Sequence, residues 1–526
     1  MTTTTHLLPR ATPESQGVDP AALARMVERL DTVRDVHSLM VLRHGHVVAE
    51  AWWDPFGPVE PHQLFSVSKS VTATAVGIAV AEGLLSVDDR VVDLLPDDAP
   101  AEVGENLARM RVRDLLTMTS GHDADSMHFT LRTLHRPGAS WARDILAAPV
   151  PQVPGTRFVY DTGSTYLVSA ILHRLTGERL LDWLTPRLFA PLGITGATWE
   201  QCPRGIDVGG YGLTLTTEQV AVLGQLWLQR GRWGDRQLVP ASWVDAMTSA
   251  QVPNGPTDPQ GPGEQVDWVQ GYGYQFWRCR FDAYRADGAF GQFCLVRPEH
   301  DLVAVLTSGT VRTAKELTVL LEDLGAACAP SDGAAPRTPG TGTPGGPATE
   351  ATLGAPLAPT GLAVARPSGA ATTLLGRMVD GAPFVLAPHA GDHTPAGDVA
   401  TGAPDDDRAE AFGRWHALAV HHTGDGIELS WTTTPEGPWH VVRCGVGSWT
   451  TGEVDLDGAP TRVAGAAAWT APDTLLLRLL WRGTPFALDV TLRFGGDGEG
   501  RHVEVAVDQN VSFGPTAVLR ATGLGA

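Results

Sequence analysis

Hydrophobic residues change their spacing several times along this chain of 526 residues. Near the start, Ser38 to Arg43 and Val47 to Trp53 are short apolar, β-branched runs on either side of Arg43-His44-Gly45-His46. Two such runs around a Gly-containing turn predict a β-hairpin. From Val71 to Leu85 nearly every residue is small or apolar, broken only by Thr72, Thr74 and Glu82. A helix without a polar face belongs inside a domain, and a run of about 15 residues with these interruptions is too short and too polar to span a bilayer. Ser66 opens this helix. A second helix is predicted from Arg111 to Gly121, with the glycine as its left-handed cap. In Gly271-Tyr272-Gly273-Tyr274-Gln275-Phe276-Trp277 the aromatic residues Tyr272, Tyr274 and Trp277 read as one face of a strand. That face is apt for a core, with a substrate wall as the other reading.

Beyond Cys328 the pattern disappears. Residues 329–359 are mostly Pro, Gly, Thr and Ala with no apolar period, a composition that cannot bury enough surface to offset its ordering entropy and that reads as a linker. After it come short alternating runs, Gly426 to Trp431, Thr474 to Trp481, Phe486 to Phe494 and His502 to Val507, separated by Gly, Pro and Asp turns. The expected organisation is therefore a first domain over 1–328, a linker over 329–359 and a small antiparallel β domain over 360–526, a barrel or sandwich. Trp439, Trp449, Trp469 and Trp481 recur along those strands and fit a core or a ligand cavity. The residues leave open whether this domain binds substrate, caps a site or mediates a homodimer.

Composition narrows the partners. A hydrophobic content of 43% marks a globular chain, and a net charge of -20 argues against nucleic acid or an anionic membrane as a partner. The opening Met1-Thr2-Thr3-Thr4-Thr5-His6 has neither a basic nor an apolar signal region. Five widely spaced cysteines, at 202, 279, 294, 328 and 444, give no C-x-x-C pair and predict reduced thiols in a cytoplasmic protein. Of His416, His421 and His422, His416 and His422 would share a face if this run is a strand, but no third ligand is close to them, so no metal is expected there, and His122-Asp123-Ala124-Asp125 with His128 reads as a polar loop. No cofactor fingerprint is present.

One residue choice points to chemistry. The chain has only two lysines, Lys69 and Lys315, among 39 basic residues. Lys69 follows Ser66 by three positions in Phe65-Ser66-Val67-Ser68-Lys69, so on a helix both side chains project from one face. Arginine could not stand in for it, because a guanidinium stays protonated whereas a buried amine can lose its proton and act as a base. A helix amino end also favours an alkoxide and an adjacent oxyanion.

With Ser66 and Lys69 in place, three further elements occur in order: Glu82-Gly83-Leu84-Leu85-Ser86-Val87-Asp88-Asp89, Leu115-Leu116-Thr117-Met118-Thr119-Ser120-Gly121, and Phe158-Val159-Tyr160-Asp161-Thr162-Gly163. Together with Ala286-Asp287-Gly288-Ala289-Phe290-Gly291-Gln292 they resemble the β-lactamase-related serine hydrolases, which include class C β-lactamases, DD-peptidases, esterases and 6-aminohexanoate-dimer hydrolases. The resemblance covers roughly residues 10 to 325. It implies an α+β fold, an antiparallel sheet flanked by helices with a helical subdomain, and it extends loosely to a lipocalin-like tail domain. It further implies that Ser66 attacks a carbonyl, that Lys69 and Tyr160 share the base and acid work, and that the backbone N–H groups of Ser66 and Ala289 hold the oxyanion. Tyr160 needs Lys69 nearby to lower its pKa if it is to act as a base.

Substrate contacts carried over in the same way are Thr162, Ala286, Gly288 and, as a wall, Tyr272. Two of these depart from the family pattern. Thr162 stands where many relatives have an asparagine, and Ala286 where they have a lysine or histidine. Loss of that cation counts against a dedicated penicillin-recognising enzyme. The expected function is hydrolysis of a small ester or amide through an acyl-enzyme. A β-lactamase or DD-peptidase, and an inert ligand-binding protein on the same fold, are the alternatives.

Overall fold

In the computed structural model, which describes residues 6–255, 266–328, 384–388, 415–424, 426–456, 459–496 and 500–525, the predicted hairpin is formed by β1 (Val36–Arg43) and β2 (His46–Trp52). His44 and Gly45 at its turn take positive φ values of 50° and 74°, the twist that suits a tight hairpin. The predicted linker at 329–359 lies outside the described residues.

β1 and β2 belong to a six-stranded antiparallel sheet completed by β3 (Trp277–Arg278), β4 (Tyr284–Gly288), β5 (Gln292–Arg297) and β6 (Leu302–Ser308), in the order β2-β1-β6-β5-β4-β3. β1, β5 and β6 are buried nearly throughout, as expected of interior strands covered on both faces. α1 (Pro20–Asp31) packs on α6 (Thr313–Ala327), α5 (Thr217–Leu228) lies across β1, β5 and β6, and α2 (Val67–Ala81) contacts β4 and α4 (Thr162–Thr176).

α2 is the helix the sequence placed in the interior, and Val67 to Ala79 are all buried. Its mid-helix glycine, normally worth about 1 kcal/mol against alanine, has a packing reason. A Cβ on Gly77 would sit 2.2 Å from the Trp243 ring, whose indole N–H donates to the Ala73 carbonyl at 3.0 Å. The helix ends four residues before Leu85. Gly83 takes φ 73°, its N–H reaches the Val80 carbonyl at 3.0 Å, and Leu84 N–H reaches the Ala79 carbonyl at 2.9 Å. This pair of bonds is the Schellman arrangement, so apolar Leu84 and Leu85 lie past the stop.

Two other expectations are corrected. The helix expected over Arg111 to Gly121 is only α3 (Val112–Leu116). The Thr117 and Thr119 hydroxyls bond each other at 2.8 Å, and Met118 takes φ 59°, so hydroxyl-rich sequence turns the chain out of the helix. Gly271 to Phe276 is not a strand. Gln275 takes φ 63° and its side-chain amide donates to the Leu115 and Leu116 carbonyls at 3.1 and 2.9 Å, which pins the segment as a turn before β3.

The contacts divide the chain into two compact units, and the second includes Trp53–Gly57 as well as the carboxy-terminal strands. Those strands are β7 (Phe384–Pro388), β8 (Ala417–Thr423), β9 (Gly426–Thr432), β10 (His440–Val446), β11 (Thr450–Leu456), β12 (Ala459–Ala471), β13 (Thr474–Trp481), β14 (Ala487–Gly495), β15 (His502–Gln509) and β16 (Ala517–Gly525). Pairing runs β10-β9-β8-β7-β16-β15-β14-β13-β12-β11, and β10 also pairs in parallel with β12 at Cys444 to Val446. That last contact closes a barrel, with β11 pairing along the first half of the same edge of β12 that β10 uses further on. Leu477, Leu479, Leu488, Val490, Val505 and Val507 share one buried face by register. Trp469 and Trp481 are buried, but Trp439 is 45% exposed and outside the core. Phe56 is buried against Ala464, Leu480 and Ala487 of this unit.

All five cysteines are buried and unpaired. Among the described residues, no helix is long and apolar enough to cross a membrane.

Candidate active site

Ser66 occupies the N-cap of α2 and is half-buried, so its side chain and backbone N–H lie at the positive end of the helix dipole. One turn on, Lys69 is 1% exposed. Its amine lies 3.0 Å from Ser66 Oγ, 3.3 Å from Thr162 Oγ1 and 2.9 Å from the Gly210 carbonyl. Burial lowers the Lys69 pKa to about 8, against the opposing pull of Asp125 and Asp161. The amine is therefore close to a proton-accepting state near neutrality.

Tyr160 comes from the segment leading into α4. Its hydroxyl lies close enough to the Ser66 side chain for that group to act on its pKa, and its ring lies with the centroid 5.0 Å from Lys69 Nζ. Trp277 stacks on that ring at 5.4 Å, and Tyr272 meets it edge-on at 6.4 Å. Lys69 was expected to lower the phenol's pKa, but the shift is upward. Burial raises it most, and the charges of Asp287 and Asp125 add to that against a hydrogen bond from Ser66 and the charge of Arg285. A phenol in this setting keeps its proton, so the geometry offers Tyr160 as a proton donor.

Two carboxylates hold this arrangement. Asp125 Oδ1 accepts N–H bonds from Met127, Thr162 and Gly163 at 3.0, 2.9 and 3.3 Å, tying its loop to the start of α4. Burial and the charge of Asp161 push Asp125 up to about 7. Asp161 accepts from Ser126 N–H, Ser126 Oγ, Ser164 Oγ and Ser120 Oγ at 2.8, 2.7, 2.6 and 3.1 Å. Its burial would raise the pKa, yet the neighbouring His122 and these donors outweigh it and keep the carboxyl below its ordinary value.

The opposite wall is the end of β4. Gly288 approaches the chain just before Ser66: a Cβ there would meet the Leu64 carbonyl at 2.3 Å. Phe65 and Phe290 then meet edge to face at 5.4 Å, and both adopt left-handed backbone, φ 47° and 65°. Strained non-glycine residues of this kind persist where the surroundings over-determine them, commonly at functional sites. The contact brings the segments of Ser66 and Ala289 alongside each other. β3 pairs with β4 only at Tyr284 and Arg285, so among the described residues no strand pairs with residues 286–288 on that edge.

The family model described as Beta-lactamase matches residues 23–327. The chain belongs to the beta-lactamase family. It is a serine hydrolase of that family, and among curated relatives it is 26% identical over 298 residues to the 6-aminohexanoate-dimer hydrolase of Paenarthrobacter ureafaciens, covering 51% of this chain and 75% of that one. It is 31% identical over 346 residues to penicillin-binding protein 4 of Amycolatopsis lactamdurans, covering 59% and 85%. A penicillin-binding protein homologue from Caulobacter crescentus aligns in structure with a TM-score of 0.45 and 18% identity, over 59% of this chain and 99% of that one.

Within this beta-lactamase-family domain the residues singled out by sequence fall into two groups. Ser66, Lys69 and Thr162 are joined by hydrogen bonds, Tyr160 packs against Lys69, and Ala289 lies between Gly288 and Phe290, which approach the chain just before Ser66. Three others have different places from those expected. Gly288 accommodates Leu64 of the protein itself. Ala286 is fully buried with its side chain in the core, because β4 turns Arg285 and Asp287 to the other face. Tyr272 is 1% exposed and stands behind Tyr160 as a support. Asp125 and Asp161 were missed: a carboxylate in a polar loop normally reads as solvated, and no spacing rule links position 125 to position 69. Asp161, directly after Tyr160 and before a helix, carried the only usable signal, its N-cap position. The charge of Asp287, on the neighbouring strand β4, also bears on Tyr160.

Proposed function

We propose that this protein hydrolyses an ester or amide bond of a small substrate through an acyl-enzyme on Ser66. The observation that carries the reading is the buried Lys69 amine 3.0 Å from Ser66 Oγ with its pKa lowered to about 8. In the acylation step the neutral amine takes the Ser66 proton as Oγ attacks the carbonyl carbon. The tetrahedral oxyanion is held by the N–H groups of Ser66 and Ala289. As the bond to the leaving group breaks, Tyr160 O–H gives its proton to the leaving atom and is reprotonated from the Lys69 ammonium. Water then attacks the acyl group by the reverse proton path and frees Ser66. Similarity to the 6-aminohexanoate-dimer hydrolase and to a lovastatin esterase of Penicillium rubens, 27% identical over 176 residues, supports amide and ester substrates alike.

The test is intact mass after a fluorophosphonate probe, with turnover of a p-nitrophenyl ester measured in parallel. A single adduct is expected on the wild type and none on Ser66→Ala, whose turnover falls by at least about a thousandfold. An unlabelled wild type would instead support an inert ligand-binding protein. A stable or rapidly hydrolysed penicillin adduct would move the substrate to β-lactams.

A further inference from the structure

Arg285 and Asp287 form a pair on one face of β4, where Arg285 is the cross-strand partner of Trp277, the residue stacked on Tyr160. Arg285 Nε donates to Asp287 Oδ2 at 2.8 Å, and Arg285 Nη1 donates to the Asp267 carbonyl at 2.7 Å. The guanidinium is 0% exposed and lies 4.5 Å from the Trp268 ring and 5.7 Å from Trp277. Burial raises the Asp287 pKa, with the charge and hydrogen bond of Arg285 opposing, and both charges act on the Tyr160 phenol. The two members differ in access: the Arg285 side chain is sealed, whereas that of Asp287 retains 14% exposure. The outward member of the pair is thus the anion, beside the open edge of β4. Asp125 and Asp161 add negative charge on the Lys69 side of the same site.

Under the serine-hydrolase reading above, on which this inference rests, Tyr160 gives its proton to the leaving group, so the residue flanking Tyr160 flanks the leaving group too. We propose that Asp287 is a specificity-determining residue that selects leaving groups carrying a positive charge, such as amino alcohols or diamines, and rejects those carrying a carboxylate. An anion beside the departing atom attracts an ammonium and repels a carboxylate, and in a partly desolvated site that discrimination is large. Arg285 offsets part of this charge, but its side chain is sealed and that of Asp287 is not, so the carboxylate is the member of the pair that a ligand can reach.

The experiment compares three butyrate esters on the full chain: choline, its uncharged isostere 3,3-dimethylbutanol, and 4-hydroxybutanoate. Fluorophosphonate labelling of Ser66 is measured on the same preparation. The expected order of kcat/KM is choline, then the isostere, then the carboxylate, with about tenfold or more between the first and the last. In Asp287→Asn the anion is lost while the sealed Arg285 stays out of reach of the ligand, so the choline preference collapses and the three esters approach equal rates. The wild-type ratio decides the matter even where the variant fails to fold. Equal rates, or a preference for the carboxylate, on an enzyme that labels at Ser66 would overturn the role of Asp287 and leave the hydrolase reading standing. Absence of labelling and of turnover with all three would overturn both.

Discussion

Lys69 has to be neutral before it can take the Ser66 proton, and that requirement has a visible pH signature. With a pKa of about 8 in the folded protein, the reactive fraction rises about tenfold per pH unit below that value and levels above it. We expect kcat/KM on a neutral ester to follow this single rising limb between pH 6 and 9. A flat profile would remove Lys69 as the base. Lys69→Arg keeps the charge and discards the basicity, so its rate falls by at least about a hundredfold and its limb disappears. The sequence makes this residue legible because so few lysines are used and because three positions make one helical turn. It does not make Asp125 legible: that carboxylate acts on Lys69 through space, and only the folded loop brings it close. The upward shift of Tyr160 is hidden for the same reason, since it comes from burial and from Asp287 and Asp125.

At the level of elements, the site depends on how closely β4 can lie against the chain entering α2. Gly288→Ala would drive a methyl group into the Leu64 carbonyl, 2.3 Å from the ideal Cβ position. Separating the two segments displaces Ala289 from Ser66, so we expect a loss of about 1–3 kcal/mol in stability and about a hundredfold in kcat/KM. Unfolding in urea and steady-state kinetics would check this, and a variant of normal stability and rate would exclude the close approach. The hairpin, α2 and the barrel strands could be read from periodicity. Irregular stretches could not: Gly271 to Trp277 alternates like a strand, yet the Gln275 amide finds its partners on α3 and holds the backbone in a turn. Ala286 shows the same limit. Its position relative to Gly288 can be read from the sequence, but which face of β4 meets the site follows from the sheet's register.

For the molecule as a whole, one buried acid sets a pH trend in stability. Glu316 of α6 is fully buried, and a Cβ on Gly291 would fall 2.3 Å from its carboxyl. Burial raises its pKa well above the usual value, with the nearby Ser308 opposing and the charge of Asp35 adding. In the folded state the group therefore stays protonated where the unfolded chain would ionise. The unfolded state then binds fewer protons, so this residue's contribution falls as pH rises above its unfolded value, until the folded group also ionises. Glu316→Gln should remove that slope and show a higher Tm than the wild type at pH 8 than at pH 5, by about 2–4 °C for each kcal/mol gained. Calorimetry at the two pH values would decide it, and an equal difference at both would dismiss the buried acid as the cause.

The segment Trp53–Gly57, which belongs to the barrel's compact unit although β2 ends just before it, has a consequence for synthesis. Ala464, on which Phe56 packs, follows it by 408 residues in the chain. At about 5–20 residues per second, a ribosome takes about 20–80 s to make the surface that covers this phenylalanine. During that interval the nascent chain carries a bare aromatic side chain at the end of a finished hairpin, and folding factors that bind exposed apolar segments have their earliest opportunity there.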